Sequence, residues 1–398
     1  MENLKFYGIL FIFLLACQQI ESPEDPNGQL NAAIQELRDE YAPDRRTDRV
    51  EVAVERRGDS VIFAGYTTVG AAAVSLDSLI DVTPGGINQV RQLPETEGLG
   101  LIRVSVANIR TEPGHSSELT SQALMGTPVE LLDFRDGWFL IRTPDRYIAW
   151  LEEGAIVRAS GSEMNEWFSE GLFSCAPAQT TVYASASGGR IVSELVAGDL
   201  VKADSGPGEQ ARVRLPDGRE GYLASTDLRP YLQLATPESV SVDAILATAF
   251  EQAGKPYLWG GTSPKGMDCS GFTKTAYYLN GYVIPRDASQ QVHAGEDVAL
   301  DDNFTQLERG DLLFFGSYRD DGSERVTHVG FYLGGGRFLH AGADNGFITE
   351  NSLIQGEPDY AEHRRNSLLR ARRLREGHGG VVAIDSAFTA VYTRSSSR

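Results

Sequence analysis

The spacing of apolar positions changes several times along the 398-residue chain, and each change marks a new element. Behind polar Met1–Lys5 comes an unbroken small-or-apolar run from Phe6 to Ala16. Eleven residues fall short of the roughly 20 that a helix needs to cross a bilayer core, but they fit the apolar region of a secretory signal. Leu30, Ala33, Ile34, Leu37 and Tyr41 then keep helical spacing, which predicts an amphipathic helix over 29–41. Val50, Val52 and Val54, then Val61 and Phe63, alternate around Arg57-Gly58-Asp59 and predict a hairpin. Ala71 to Ile80 predicts a second helix. These elements make a small α/β domain ending near Gly98, with no chemistry visible in it.

Short alternating runs follow, with turn signals about every ten residues, the pattern of small β-barrels. They repeat at an offset of 72 residues: Gly126 matches Gly198, Val129 matches Val201, Arg142 matches Arg214, Pro144-Asp145 matches Pro216-Asp217, and Trp150 matches Tyr222. A constant offset predicts tandem modules of one fold. Val106-Ala107-Asn108-Ile109-Arg110, Ser117-Glu118-Leu119, Gly137-Trp138 and Tyr147-Ile148-Ala149-Trp150 resemble a bacterial SH3-type (SH3b) module, with a more degenerate second copy.

Composition narrows the class. Hydrophobic residues make up 41% and charged residues 23%, which is ordinary globular usage. The formal charge of -19 repels phosphate backbones and argues against a nucleic-acid partner. Three separated cysteines, Cys17, Cys175 and Cys269, are too few for a disulfide framework. Leu14-Leu15-Ala16-Cys17 resembles a bacterial lipobox, which implies lipidation at Cys17 and an exported, membrane-anchored protein facing the periplasm. Such a compartment lacks a nucleotide pool, which argues against kinase or NAD chemistry. Glu21 to Gly28, with two prolines and three acids, reads as a tether. Cys175 has no base or metal partner nearby in sequence and reads as a packed structural thiol.

Candidate chemistry gathers around Cys269. A helix over 242–253, with Ile245, Leu246, Ala249 and Phe250 on one face, precedes the glycine-rich loop from Pro256 to Asp268. Phe272, Ala276 and Leu279 restore helical spacing, so Cys269 falls at a helix start with Asp268 as N-cap. A helix N-terminus stabilises a thiolate and is expected to lower the thiol pKa. Downstream, Asp311–Phe315 and Val326–Leu333 read as strands, and Gly334-Gly335-Gly336 as a turn. A three-residue loop pairs position 330 with 340. His328 and His340 then share a face as diagonal neighbours, roughly 7 Å apart at the backbone. One imidazole can act as base while the other orients it. Cys269, His328 and His340 could instead be three zinc ligands, but a cysteine at a glycine-flanked helix start favours the nucleophile. His115, His293, His363 and His378 lack such a setting.

Tyr257-Leu258-Trp259-Gly260-Gly261, Asp268-Cys269-Ser270-Gly271-Phe272, His328-Val329-Gly330 and His340-Ala341 together resemble the NlpC/P60 family of papain-like cysteine peptidases, over about residues 240–375. The resemblance implies Cys269 as nucleophile, His328 as general base, His340 as its orienting partner and Tyr257 beside the nucleophile. It implies hydrolysis of peptidoglycan stem peptides between γ-D-glutamate and a diamino acid, without a cofactor or metal. The SH3-type modules and Ile284-Pro285-Arg286-Asp287-Ala288-Ser289-Gln290-Gln291 resemble the YkfC-type γ-D-glutamyl-L-diamino-acid endopeptidases, which require a free amino-terminal L-Ala. By motif position, Glu118, Tyr147, Asp268, Ser270 and Asp287 would hold that ammonium group. The second module carries Arg190 and Arg219 at the matching places, so only the first suits this role.

The expected fold is α+β and multidomain. It has a signal (1–17), a tether with the small α/β domain (18–97), two SH3-like barrels (98–158 and 159–236), a papain-like catalytic domain (237–376) and a carboxy-terminal tail (377–398). A monomer is expected. Two other functions remain compatible with the sequence: a peptidoglycan-binding lipoprotein without turnover, and a papain-like acyltransferase or amidase. Six arginines from Arg364 to Arg375 form a basic stretch, read as a solvated strand or a patch for carboxylate-rich fragments.

Overall fold

Ile34 and the residues on its face of helix α1 (Gly28–Tyr41) pack onto a three-stranded sheet in the computed structural model of the chain. The structure describes residues 27–95, 98–204, 208–237, 241–375 and 377–393. The signal, Cys17, most of the tether and the last five residues therefore lie outside the described residues. Strands β1 (Val50–Arg57) and β2 (Ser60–Thr67) form the hairpin, in register from Val50↔Thr67 to Arg57↔Ser60. Helix α2 (Gly70–Asp81) then crosses to β3 (Gly86–Gln92), which lies parallel to β2. Phe63, Ala72 and Leu76 are the fully buried centre of this unit.

Two seven-stranded sheets follow. The first comprises β4 (Leu99–Ile102), β5 (Val106–Arg110), β6 (Leu119–Leu124), β7 (Pro128–Arg135), β8 (Trp138–Arg142), β9 (Ile148–Glu152) and β10 (Ile156–Ala159), in the order β10-β4-β7-β8-β9-β5-β6. A capped helix α3 (Gly161–Trp167) leads to the second. It comprises β11 (Leu172–Cys175), β12 (Gln179–Ser185), β13 (Gly188–Val196), β14 (Leu200–Ala203), β15 (Gln210–Arg214), β16 (Glu220–Ala224) and β17 (Leu228–Pro230), in the order β17-β11-β14-β15-β16-β12-β13. Strand for strand the two orders correspond, so the sequence repeat is a repeat of topology. The repeated Gly126 and Gly198 both take positive φ, +79° and +91°, in the turns before β7 and β14. The two turns meet: Leu200 N–H donates to the Met125 carbonyl at 2.9 Å, and the buried Asp199 carboxylate accepts from Met125 N–H at 2.9 Å.

Helices α4 (Tyr231–Ala235) and α5 (Val242–Phe250) lead into the last unit. The pair β18 (Thr262–Ser263) and β19 (Gly266–Met267) precedes α6 (Cys269–Tyr278), then β20 (Tyr282–Val283) and α7 (Ala288–Gln291). A six-stranded sheet completes it: β21 (Glu296–Val298), β22 (Leu312–Tyr318), β23 (Glu324–Gly334), β24 (Arg337–Gly342), β25 (Phe347–Ser352) and, after α8 (Glu362–Ser367), β26 (Leu368–Arg373). The sheet order is β21-β26-β22-β23-β24-β25. Phe272, Ala276 and Tyr277 of α6 pack on Val329, Phe331, Leu339 and Ala341 of the central strands. That packing sets the cysteine helix against the histidine hairpin.

Two expectations are corrected here. The loop between β23 and β24 has two residues rather than three, because Gly334 pairs with Arg337. An irregularity between Tyr332 and Gly334 restores the Phe331↔Leu339 register that the longer loop would have produced. The chain beyond Arg375 is not a tail over its described length. Strand β27 (Val382–Ala383) pairs with β20, and helix α9 (Ile384–Thr393) buries Ile384, Ala387, Phe388 and Val391. Phe168, at the end of α3, stacks on Tyr392 at 5.5 Å, and α9 shares a core with β4 of the first barrel and β11 and β14 of the second. The arginine stretch is neutralised rather than presented as a patch. Arg364 pairs with Asp344, Arg365 with Asp302, Arg370 with Glu324, Arg372 with Asp297, Arg373 with Asp311, and Arg375 with Glu308.

Candidate active site

Cys269 is the first residue of α6, capped by Asp268, whose side chain accepts from Gly271 N–H at 2.7 Å. Glycine is required at 271, because a Cβ there would lie 2.0 Å from the Gly261 carbonyl oxygen. The Val329 and Ser270 backbone N–H groups point at the Cys269 sulfur. Even so, burial, then the adjacent Asp268 carboxylate, push the thiol up to about 12. This reverses the expectation of a lowered thiol pKa: N–H groups of β23 and of the helix start help the thiolate, but the loss of hydration outweighs them.

His328 on β23 and His340 on β24 are both buried, and His328 Nε2 lies 2.8 Å from His340 Nδ1. Gly330 makes this approach possible, since a Cβ there would come within 2.9 Å of His340 Cβ. His340 Nε2 lies 2.9 Å from Oδ1 of Asn351 on β25, and Asn351 Nδ2 donates to the Asp359 carbonyl at 3.1 Å. A carbonyl can only accept, so the amide orientation is settled and Oδ1 must accept from His340. His340 therefore carries its proton on Nε2 and accepts at Nδ1. His328 in turn donates from Nε2, which leaves its Nδ1 unprotonated. Burial holds both rings neutral, His340 at about 4 and His328 well below the usual histidine value, where the neighbouring His340 adds to the effect. The one lone pair of His340 points at His328, so the three side chains do not converge as zinc ligands.

A cavity of about 430 Å³ opens beside the cysteine, lined by Asp268, Cys269, Ser270, Asp287, Glu118 and Tyr147 among others. All five residues expected around a substrate amine are thus brought together at one cavity, two of them supplied by the first barrel. Each is already engaged. Glu118 accepts from Trp259 Nε1 at 2.6 Å, and Tyr147 shares a hydrogen bond with Thr120 at 2.6 Å. Burial, then the Asp287 charge, push the Tyr147 hydroxyl up to about 12. Tyr257 is half-buried and close enough to Cys269 and Asp268 for their charges to raise its pKa, after burial. Arg190 and Arg219 of the second barrel do not line the cavity; Arg219 binds Asp217 and the Arg103 carbonyl. Cys175 is buried, and its thiol lies 3.6 Å from the Pro177 carbonyl.

Three residues escaped the sequence reading. Arg286 is fully buried and grips Asp268 with two bonds, 2.6 and 3.1 Å, and Ser270 with a third of 3.0 Å. Its place within Pro285-Arg286-Asp287 was the available signal. Asn351 carried none, since nothing marks a strand asparagine as a histidine partner. Arg46 comes from the α/β unit, in which no chemistry was visible, and lines the same cavity.

Residues 254–361 match the NlpC/P60 family, and residues 109–156 match the bacterial dipeptidyl-peptidase Sh3 domain. The chain is 28% identical over 272 residues to Dipeptidyl-peptidase 6 of Lysinibacillus sphaericus, covering 66% of this chain and 94% of that one. It is 43% identical over 122 residues to the gamma-D-glutamyl-L-lysine dipeptidyl-peptidase of Bacillus subtilis, covering 31% of this chain and 38% of that one. A solved NlpC/P60 family protein from Bacillus cereus superposes with a TM-score of 0.57 at 26% identity, over 69% of this chain and 99% of the other. The chain thus carries an NlpC/P60 cysteine-peptidase domain over residues 254–361, with a bacterial dipeptidyl-peptidase SH3 domain ahead of it.

Proposed function

We propose that this peptidase hydrolyses the γ-D-glutamyl–diamino-acid bond of peptidoglycan stem peptides that begin with a free L-Ala. The observation that carries the reading is the Asn351–His340–His328 chain, whose tautomers leave His328 Nδ1 unprotonated on the strand packed against the cysteine helix. In the reaction, His328 Nδ1 takes the Cys269 proton as sulfur attacks the γ-carbonyl. Backbone N–H groups at the start of α6 steady the oxyanion. The tetrahedral intermediate collapses, the C–N bond breaks, and the imidazolium of His328 protonates the leaving amine. Water, deprotonated by the same imidazole, then cleaves the thioester and returns the proton to sulfur. Tyr257 lies beside the reacting sulfur.

Recognition of the ammonium group has an electrostatic basis. The cavity is lined by the carboxylates of Glu118, Asp268 and Asp287 and by the guanidinium groups of Arg46, Arg286 and Arg325, with Asp44 bonded to Arg46. Counting Asp44, four carboxylates stand against three guanidinium groups, so a cation entering there can regain interactions it loses on leaving water. The names of the relatives, dipeptidyl-peptidases among them, support release of an amino-terminal dipeptide. Export, lipid attachment at Cys17, a periplasm-facing location and a monomeric state belong to the same proposal.

The test compares L-Ala-γ-D-Glu-diamino-acid peptide with its N-acetylated form. Cleavage confined to the free-amine peptide and abolished in Cys269→Ala is expected. Equal cutting of both peptides would overturn amine recognition, and full activity in Cys269→Ala the mechanism. Mass spectrometry of the products separates hydrolysis from acyl transfer.

A further inference from the structure

The segment 44–49 of the α/β unit lies across the end of the catalytic cavity and is bonded to both of its walls. On the barrel side, Ile148 N–H donates to the Arg46 carbonyl at 2.6 Å, Arg49 donates to the Ile148 carbonyl at 2.7 Å, and Arg146 pairs with Asp48 at 3.2 Å. On the catalytic side, Arg46 Nη1 donates to Asp287 Oδ2 and to Ser289 Oγ, each at 2.8 Å. The remaining guanidinium face is clamped by Asp44 through two bonds of 2.8 Å, and Asp44 also accepts from Gln290 at 2.8 Å. The guanidinium is thus fixed between two carboxylates, Asp44 and Asp287.

Behind it lies a second hollow of about 460 Å³, lined by Arg49, Glu51, Tyr66 and Glu112 among others. Arg46, Thr120 and Tyr147 line both spaces. Arg46 is the charged member of this partition and the one supplied by the α/β unit.

From this we infer that Arg46 is a specificity-determining residue, the end wall that makes the cleft blind and restricts it to peptides whose amino terminus stops at Asp287. The inference rests on the reading of the cavity as an amine-binding peptidase site and goes beyond it by giving the α/β unit a part in substrate selection. The guanidinium stands where the next residue of a longer peptide would pass. Its removal joins the two hollows and leaves Asp44 and Asp287 facing the vacated space without a cation. An ammonium group one residue further out would satisfy them. Loss of Arg46 therefore admits an extended peptide that keeps its charge.

The probes are L-Ala-γ-D-Glu-diamino-acid peptide and the same peptide extended by an amino-terminal glycine, given to the full-length protein. The unaltered protein is expected to favour the unextended peptide strongly. In Arg46→Ala the ratio of kcat/KM for extended over unextended peptide should rise at least about tenfold, the scale on which pocket shape discriminates. Asp44→Asn, which frees the guanidinium from one carboxylate, should shift the ratio the same way by a smaller factor. Cleavage of the unextended peptide reports that each variant is folded. An unchanged ratio in both variants, including an equal loss on both peptides, would overturn the inference and leave Arg46 a structural cross-link. Failure of the unaltered protein to cut either peptide would instead overturn the functional reading, and this inference with it.

Discussion

The amide of Asn351 donates to the Asp359 carbonyl and accepts from His340, and that single orientation sets the tautomers of both histidines. Asn351→Ala removes the acceptor and lets His340 protonate at Nδ1, which turns the relay against His328. Its kcat should fall by about a hundredfold, the lower end of what a well-placed general base supplies, with little change in KM. Asn351→Asp keeps the acceptor and so should keep most of the rate, while its charge raises the His340 pKa; steady-state kinetics across pH separate the two variants. Arg286 and Asp268 illustrate a different dependence. Both are buried, and removing one leaves the other as an uncompensated charge. Arg286→Met should cost about 3–5 kcal/mol in denaturant unfolding and distort the cap that presents Cys269.

At the scale of elements, α9 fixes the back of the molecule. Phe388 is 1% exposed and lies against Phe168 and Tyr231. Phe388→Ala should therefore destabilise the protein by about 3–5 kcal/mol, read as a lowered denaturant midpoint, while the variant that remains folded keeps its substrate preference. The sequence made the other main elements readable because their apolar faces are periodic: α1, α2, α5, α6 and the β1–β2 hairpin all lie where their spacing puts them. Helix α9 was legible only in part. Ile384, Ala387, Phe388 and Val391 do keep helical spacing, but the face they form has meaning only against the core it shares with the two barrels, which sequence does not place beside it.

Over the whole molecule, burial of neutral imidazole links stability and activity to pH. An unfolded histidine binds a proton near pH 6.5, whereas His340 in the fold does so only at about 4 and His328 well below the ordinary value. The unfolded state therefore takes up protons first as pH falls. Stability should be fully present above about pH 6.5 and decline progressively toward about 4, seen as a falling Tm between those values. The reactive resting pair is thiol and neutral imidazole, so the acid limb of kcat/KM should lie below pH 6.5 rather than at it. The sequence alone determined the local chemistry: a cysteine at a capped helix start, two histidines on one hairpin face, and a repeated barrel. Those follow from spacing, which is a property of neighbours along the chain. Tertiary structure decided everything that depends on distant segments meeting. Burial overrode the helix start and kept the thiol protonated, Asn351 chose the tautomers, and Arg46 reached Asp287 from 241 residues away to close the cleft. Desolvation and long-range hydrogen bonds arise only when segments pack together, and no period along the chain records them.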